Sequence, residues 1–242
     1  MYHDLLKKFY SILNKCNTEL CNKDKKGKCL FVGIEQLKDA VCNYSNNNCC
    51  LRSMRISLPE VPSHTKPDNI GSIDLYLEVE VDYLTNNTAN PVPITIKSFN
   101  VILKSDSGQM ISWHLDSDSA GNSNKYLHPY FHITFGGRIM ENAIENRTHD
   151  FGQTLVMRNP RFMHPPMDII LGIDFILNHY VSRDYAQYFL GDKEYQDIIK
   201  KMQDCLWKPY ALAFAKNYCS KLTANGIPFT LGTNFCKKII GG

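Results

Sequence analysis

With 242 residues, the chain has the length for one well-buried core, or one core plus a small appendage. Its 43% hydrophobic and 21% charged residues are ordinary for a globular protein, and a formal net charge of +3 does not point to nucleic acid or a membrane as partner. No run approaches the ~18 apolar residues of a membrane helix; the longest apolar segment, residues 167–177, contains Asp168 and Asp174.

The N-terminus interleaves Lys7, Lys8 and Lys15 with apolar residues instead of forming the continuous apolar stretch of a secretory signal, so the chain reads as cytoplasmic. In that setting the nine cysteines are expected to be mostly thiols. Six of them lie between Cys16 and Cys50 without a C-x-x-C pair, which leaves buried thiols or a structural zinc as readings. Leu5, Leu6, Phe9, Ile12, Leu13 and Leu20 fall largely on one face of a helix over residues 4–20. The charged stretch 22–28, with Lys23, Lys25, Lys26 and Lys28, breaks it and reads as a solvated loop. A short second helix follows over 33–44.

Strands come next. Met54, Ile56 and Leu58 alternate before a proline-containing loop at 59–68. Ile73, Leu75, Leu77, Val79, Val81 and Tyr83 then alternate with Asp74, Tyr76, Glu78, Glu80 and Asp82, the dry-and-wet pattern of an antiparallel strand. Ile94 and Ile96 share one phase, and Phe99, Val101 and Leu103 the other, which predicts a bulge near Lys97–Ser98. In the strand over 110–116, Ile111, Trp113 and Leu115 point one way while Ser112, His114 and Asp116 point the other. A polar loop over 116–125 leads to a strand over 127–135, with Leu127, Phe131, Ile133 and Phe135 opposed to His128, Tyr130, His132 and Thr134. Gly136–Gly137 ends it, and residues 138–152 read as a long excursion. Met163-His164-Pro165-Pro166-Met167-Asp168 is a helix entry, with proline suited to a first turn and Asp168 to the positive end of the dipole. The helix runs to about Tyr180, and one or two more are expected over 185–222, interrupted near Trp207-Lys208-Pro209.

The expected fold is therefore α+β. An antiparallel sheet of about five strands carries an N-terminal helix and C-terminal helices on one face. Residues 1–222 would form one domain: a cysteine-rich helical part (1–50), the sheet (51–137) and a second helical part (163–222), followed by a tail (223–242).

The histidines are the best candidates for chemistry, since imidazole titrates near neutrality and ligates transition metals. His128, His132 and His164 are the candidate catalytic residues, and His114, Tyr130, Arg161 and Asp168 the candidate ligand-binding ones. His114, His128 and His164 would be the ligands of zinc or another divalent transition metal. His128 and His132 cannot share one ion on a regular strand, where four residues span roughly 13 Å. Imidazoles paired with backbone and carboxylates between the sheet and a covering segment are the structural alternative. His164, beside a helix N-terminus with Arg158 and Arg161 nearby in sequence, suggests an anion such as phosphate or carboxylate. There is no G-x-S-x-G, P-loop or H-E-x-x-H.

An N-terminal helix, an antiparallel meander, the His128-Pro129 step and a core helix after a proline-rich entry resemble the ubiquitin-conjugating-enzyme fold and its RWD relatives, over residues 51–180. That family places its thioester cysteine within about ten residues of His-Pro. No cysteine occurs here between Leu51 and Asp204, so the resemblance implies a noncatalytic member or another activity on the scaffold. The string H-P-x-x-H-x-x-x-G-G is similar to bacterial proteins of defence or toxin loci. The terminal Ile239-Ile240-Gly241-Gly242 resembles a ubiquitin-like tail, although the chain is far larger than that fold. Two functions follow as expectations: a partner- or ligand-binding subunit of a bacterial multiprotein system, with protein partners, or a metal-dependent or histidine-based hydrolase.

Overall fold

Alternation of apolar and polar residues builds the sheet, and a computed structural model describes it through residues 1–23, 29–60, 70–84, 92–117, 130–145 and 162–223. Six strands, β1 (Asn48–Leu58), β2 (Ile73–Tyr83), β3 (Ile94–Ser105), β4 (Met110–Ser117), β5 (Phe131–Phe135) and β6 (Phe162–Met163), lie antiparallel in sequence order. The helices are α1 (Tyr2–Lys23), α2 (Ile34–Cys42), α3 (Arg138–Glu145), α4 (Ile169–His179), α5 (Arg183–Leu190) and α6 (Lys193–Thr223).

The strongest sequence pattern is obeyed: Leu75, Leu77, Val79 and Val81 are buried while Asp74, Tyr76, Glu78 and Glu80 are half-exposed. The phase change in β3 is a bulge. Glu80 faces Ser98 and Val81 faces Ile96, so Lys97 is the extra residue, and its ammonium reaches Asp82 at 2.9 Å. One apolar cluster runs from Leu6 and Phe9 of α1 through Val79 and Phe99 to Ile170 of α4 and Leu206 of α6. α4 presses closely on β3, since a Cβ on Gly172 would lie 2.7 Å from Phe99 Cζ.

Several expectations need correction. Among the described residues the sheet has six strands where about five were expected, because residues 162–163 return to pair with β5. The excursion after Gly137 holds α3, which contacts β4. α6 runs through Pro209 without a break. Proline removes one amide and crowds the preceding turn, but here tertiary packing prevails. Trp207 Nε1 donates to Pro166 O at 2.8 Å, and the Tyr210 ring packs edge-on to Phe131. Cys21 and Cys29, with Cα atoms 4.8 Å apart, are joined as a disulfide, whereas Cys16, Cys42, Cys49, Cys50 and Cys205 are free. Among the described residues no helix is long and apolar enough to cross a membrane.

Candidate functional site

Alternation along β4 sends Trp113 and Leu115 into the main core and Ser112, His114 and Asp116 to the opposite side of the sheet. In β5, Phe131 and Ile133 join the core, and His132 and Thr134 take the other side. The antiparallel register places His114 opposite Thr134 and Asp116 opposite His132, so these four residues form a two-by-two patch. His114 Nε2 lies 3.0 Å from Asp116 Oδ2, and His132 Nε2 lies 3.9 Å from the same oxygen. An ionised carboxylate only accepts, so His114 Nε2 is the donor to Asp116 Oδ2. The side chain of Asp116 is 48% exposed and that of His114 22%, whereas His132 is buried at 4%.

On the polar side of β5, His132 and Thr134 are both buried. The reason is a second, smaller buried layer: Ile102, Ser112 and Met140 are also covered and lie outside the main core cluster. Met140 belongs to α3, and the entry to that helix is tied to β4. Gly136 N donates to Ser112 O at 2.7 Å, and Ser112 Oγ donates to Gly136 O at 2.8 Å. Gly137 then takes φ +73°, and a Cβ there would lie 2.5 Å from His114 Cε1 and 2.8 Å from Nδ1. Only glycine both adopts this backbone and lets the chain touch the imidazole.

His164 does not join this group. Its amide donates to Phe131 O, and its ring stands edge-on to Phe175 at 5.9 Å, on the side where Phe175 also meets Trp113. The sheet separates it from His114 and His132. His164 Nδ1 lies 2.6 Å from Pro165 O, and burial lowers its pKa. Tyr130 is 41% exposed, with its ring edge-on to Phe131. His128 and Arg161 lie outside the described residues. The proposed metal set is therefore divided, with His114 and His164 on opposite sides of the sheet. Among the described residues no group of three or more His, Cys, Asp or Glu side chains is placed to hold a metal ion.

Asp168 is elsewhere again, at 0% exposure in the main core. It caps α4, with Oδ1 accepting from Leu171 N at 2.8 Å. Oδ2 accepts from the Tyr2 hydroxyl of α1 and, at 3.2 Å, from that of Tyr83 at the end of β2. Burial pushes its pKa up to about 6, against the hydrogen bonds from Leu171 and Tyr83 that pull it down. Burial, and then Asp168, drives Tyr83 well above the usual phenol range. The α4 N-terminus thus already carries its own carboxylate, and Arg158 and Arg161 of the anion expectation lie outside the described residues.

Sequence reading passed over Thr134 and Gly137. Thr134 Oγ1 is buried with no hydrogen-bond partner among the described residues. The alternation His132-Ile133-Thr134 placed it beside the histidines, but only the register sets it against His114. No family model, curated protein or solved structure matches this chain.

Proposed function

We propose that the chain is a partner- or ligand-binding subunit whose working surface is the His114–Asp116–His132 side of β4 and β5. One observation carries this: a half-exposed carboxylate holds one imidazole at 3.0 Å and adjoins a second at 3.9 Å, on the side of the sheet away from the main core. Such a group offers both hydrogen-bond donors and acceptors to a ligand. A bacterial multiprotein setting with a protein partner rests only on the resemblance of the H-P-x-x-H-x-x-x-G-G string.

The same pair favours a second reading, a histidine-based hydrolase. Asp116 would orient His114 so that Nδ1 acts as general base. In the metal-dependent form, His114 and His128 would contribute ligands.

Elemental analysis of the purified protein, combined with a thermal-shift screen of metabolites, tests the two readings. A ligand present only on the folded state raises the melting temperature by mass action. The binding reading expects metal-free protein and a ligand shift that disappears in His114→Ala. Stoichiometric zinc would favour the metal-dependent hydrolase. Ligand shifts that all persist in His114→Ala would remove the histidine surface from either reading.

A further inference from the structure

The Cys21–Cys29 disulfide joins two stretches of chain that the fold already fixes without it. On the helix side, Cys16 and Leu20 of α1 lie in the main core, each 3% exposed. On the other side, Leu30 and Phe31 follow Cys29 directly and are each 1% exposed. Asn17, buried in α1, holds the Phe31 backbone twice: its Nδ2 donates to Phe31 O at 3.1 Å, and Phe31 N donates to its Oδ1 at 3.0 Å. Ser57 N of β1 donates to Leu30 O at 2.8 Å, and the Phe31 ring stands edge-on to Phe189 of α5. These contacts hold the two cysteines together whether or not the sulfurs are bonded, with Cα atoms 4.8 Å apart. Thiols so placed react as an intramolecular pair.

Both cysteines are only half-buried, so a small thiol or disulfide can reach them. Cys16 and Cys49 are sealed in the core instead, and burial pushes their thiols up, Cys49 to about 12. What the bond adds is local. Beyond Leu20, Asn22 and Lys23 are exposed, and Lys23 Nζ lies over the Tyr188 ring of α5 at 5.1 Å. An exposed cation–π contact of that kind is a weak hold.

We propose that Cys21–Cys29 is a redox latch on the last turn of α1. Closed, it fastens that turn beside α5; opened to the dithiol, it frees the turn while the core stays folded. Opening is thiol–disulfide exchange with a low-molecular-weight thiol. The external thiolate attacks one sulfur, and the other leaves as a thiolate and takes a proton. A second external thiol then resolves the mixed disulfide. The pair gains two electrons and two protons, and two external thiols become one disulfide. A small disulfide drives the reverse. None of the latch residues belongs to β4, β5 or α3, so the device is independent of the histidine surface.

The test equilibrates the full chain in glutathione buffers of graded poise, followed by alkylation with mass spectrometry and by hydrogen exchange. Cys21 and Cys29 are expected to convert together and reversibly. In the reduced form the amides of residues 21–23 should exchange at least about tenfold faster, while those of Phe31 and Ser57 keep their protection. The melting temperature should fall by less than about 10 °C. A double variant, Cys21→Ser with Cys29→Ser, should behave as the reduced form in every buffer, which separates the latch from the remaining thiols. No bond in the most oxidising buffer, or a bond that resists excess dithiothreitol in the folded chain, would overturn the proposal. So would reduction that unfolds the protein, or that leaves residues 21–23 exchanging as before.

Discussion

Two carboxylates, one on each side of the sheet, show how differently this fold treats the same group. Asp168 is sealed: it is fully buried, and its oxygens accept from Leu171 N, Tyr2 and Tyr83, which tie α4, α1 and β2 together. Asp116 is half-open, faces two imidazoles and has an unpartnered hydroxyl diagonal to it across β4–β5. A saturated polar group in a core locks elements in place, whereas a half-exposed one contributes less to the fold.

Removing Asp168 should give the largest effect. Asp168→Ala loses the helix cap and the acceptor of the Tyr2 and Tyr83 hydroxyls, and is expected to cost about 3 kcal/mol in urea unfolding. Asp116→Asn, at a half-exposed position, should cost under about 1 kcal/mol. Similar losses for the two would erase the contrast.

The sealed site should also show itself in pH dependence. Because its folded pKa is raised from 3.8 to about 6, Asp168 holds more protons in the folded than in the unfolded state between those values. Its contribution is fully present below the unfolded pKa and is lost as pH rises to about 6, by roughly 3 kcal/mol at 1.36 kcal/mol per unit. The stability difference between wild type and Asp168→Asn, measured from pH 4 to pH 7, should fall with rising pH and level off. A flat difference would mean that the carboxyl is not held in its acid form.

Smaller effects sharpen the open site. Gly137→Ala places a side chain at φ +73° against the His114 ring and should destabilise by about 1–2 kcal/mol, with a displaced His114 resonance. Thr134→Val should instead stabilise by about 1 kcal/mol, since it removes an unsatisfied hydroxyl. A loss of stability there would show that the hydroxyl has a partner within the fold.

Local patterns were legible where one residue's neighbours decide its place. The alternation of β2, the Lys97 bulge and the Asp168 helix entry were all readable, because a two-residue period and a capping side chain are local signals. The side of the sheet on which His164 falls was not. It depends on pairing with β5 across a long connection, and no local period encodes that register. α6 passed through Pro209 because Trp207 and Tyr210 are anchored to distant residues. The pairing of His114 with Thr134 is likewise a cross-strand fact, although each residue's face was visible in its own strand.

The most direct test follows the histidine side chains by NMR while a ligand found by thermal shift is titrated into the full chain. The His114 and His132 resonances are expected to move together and saturate with the binding curve, while His164, across the sheet, stays in place. Perturbation of His164 with His114 and His132 unmoved would contradict it.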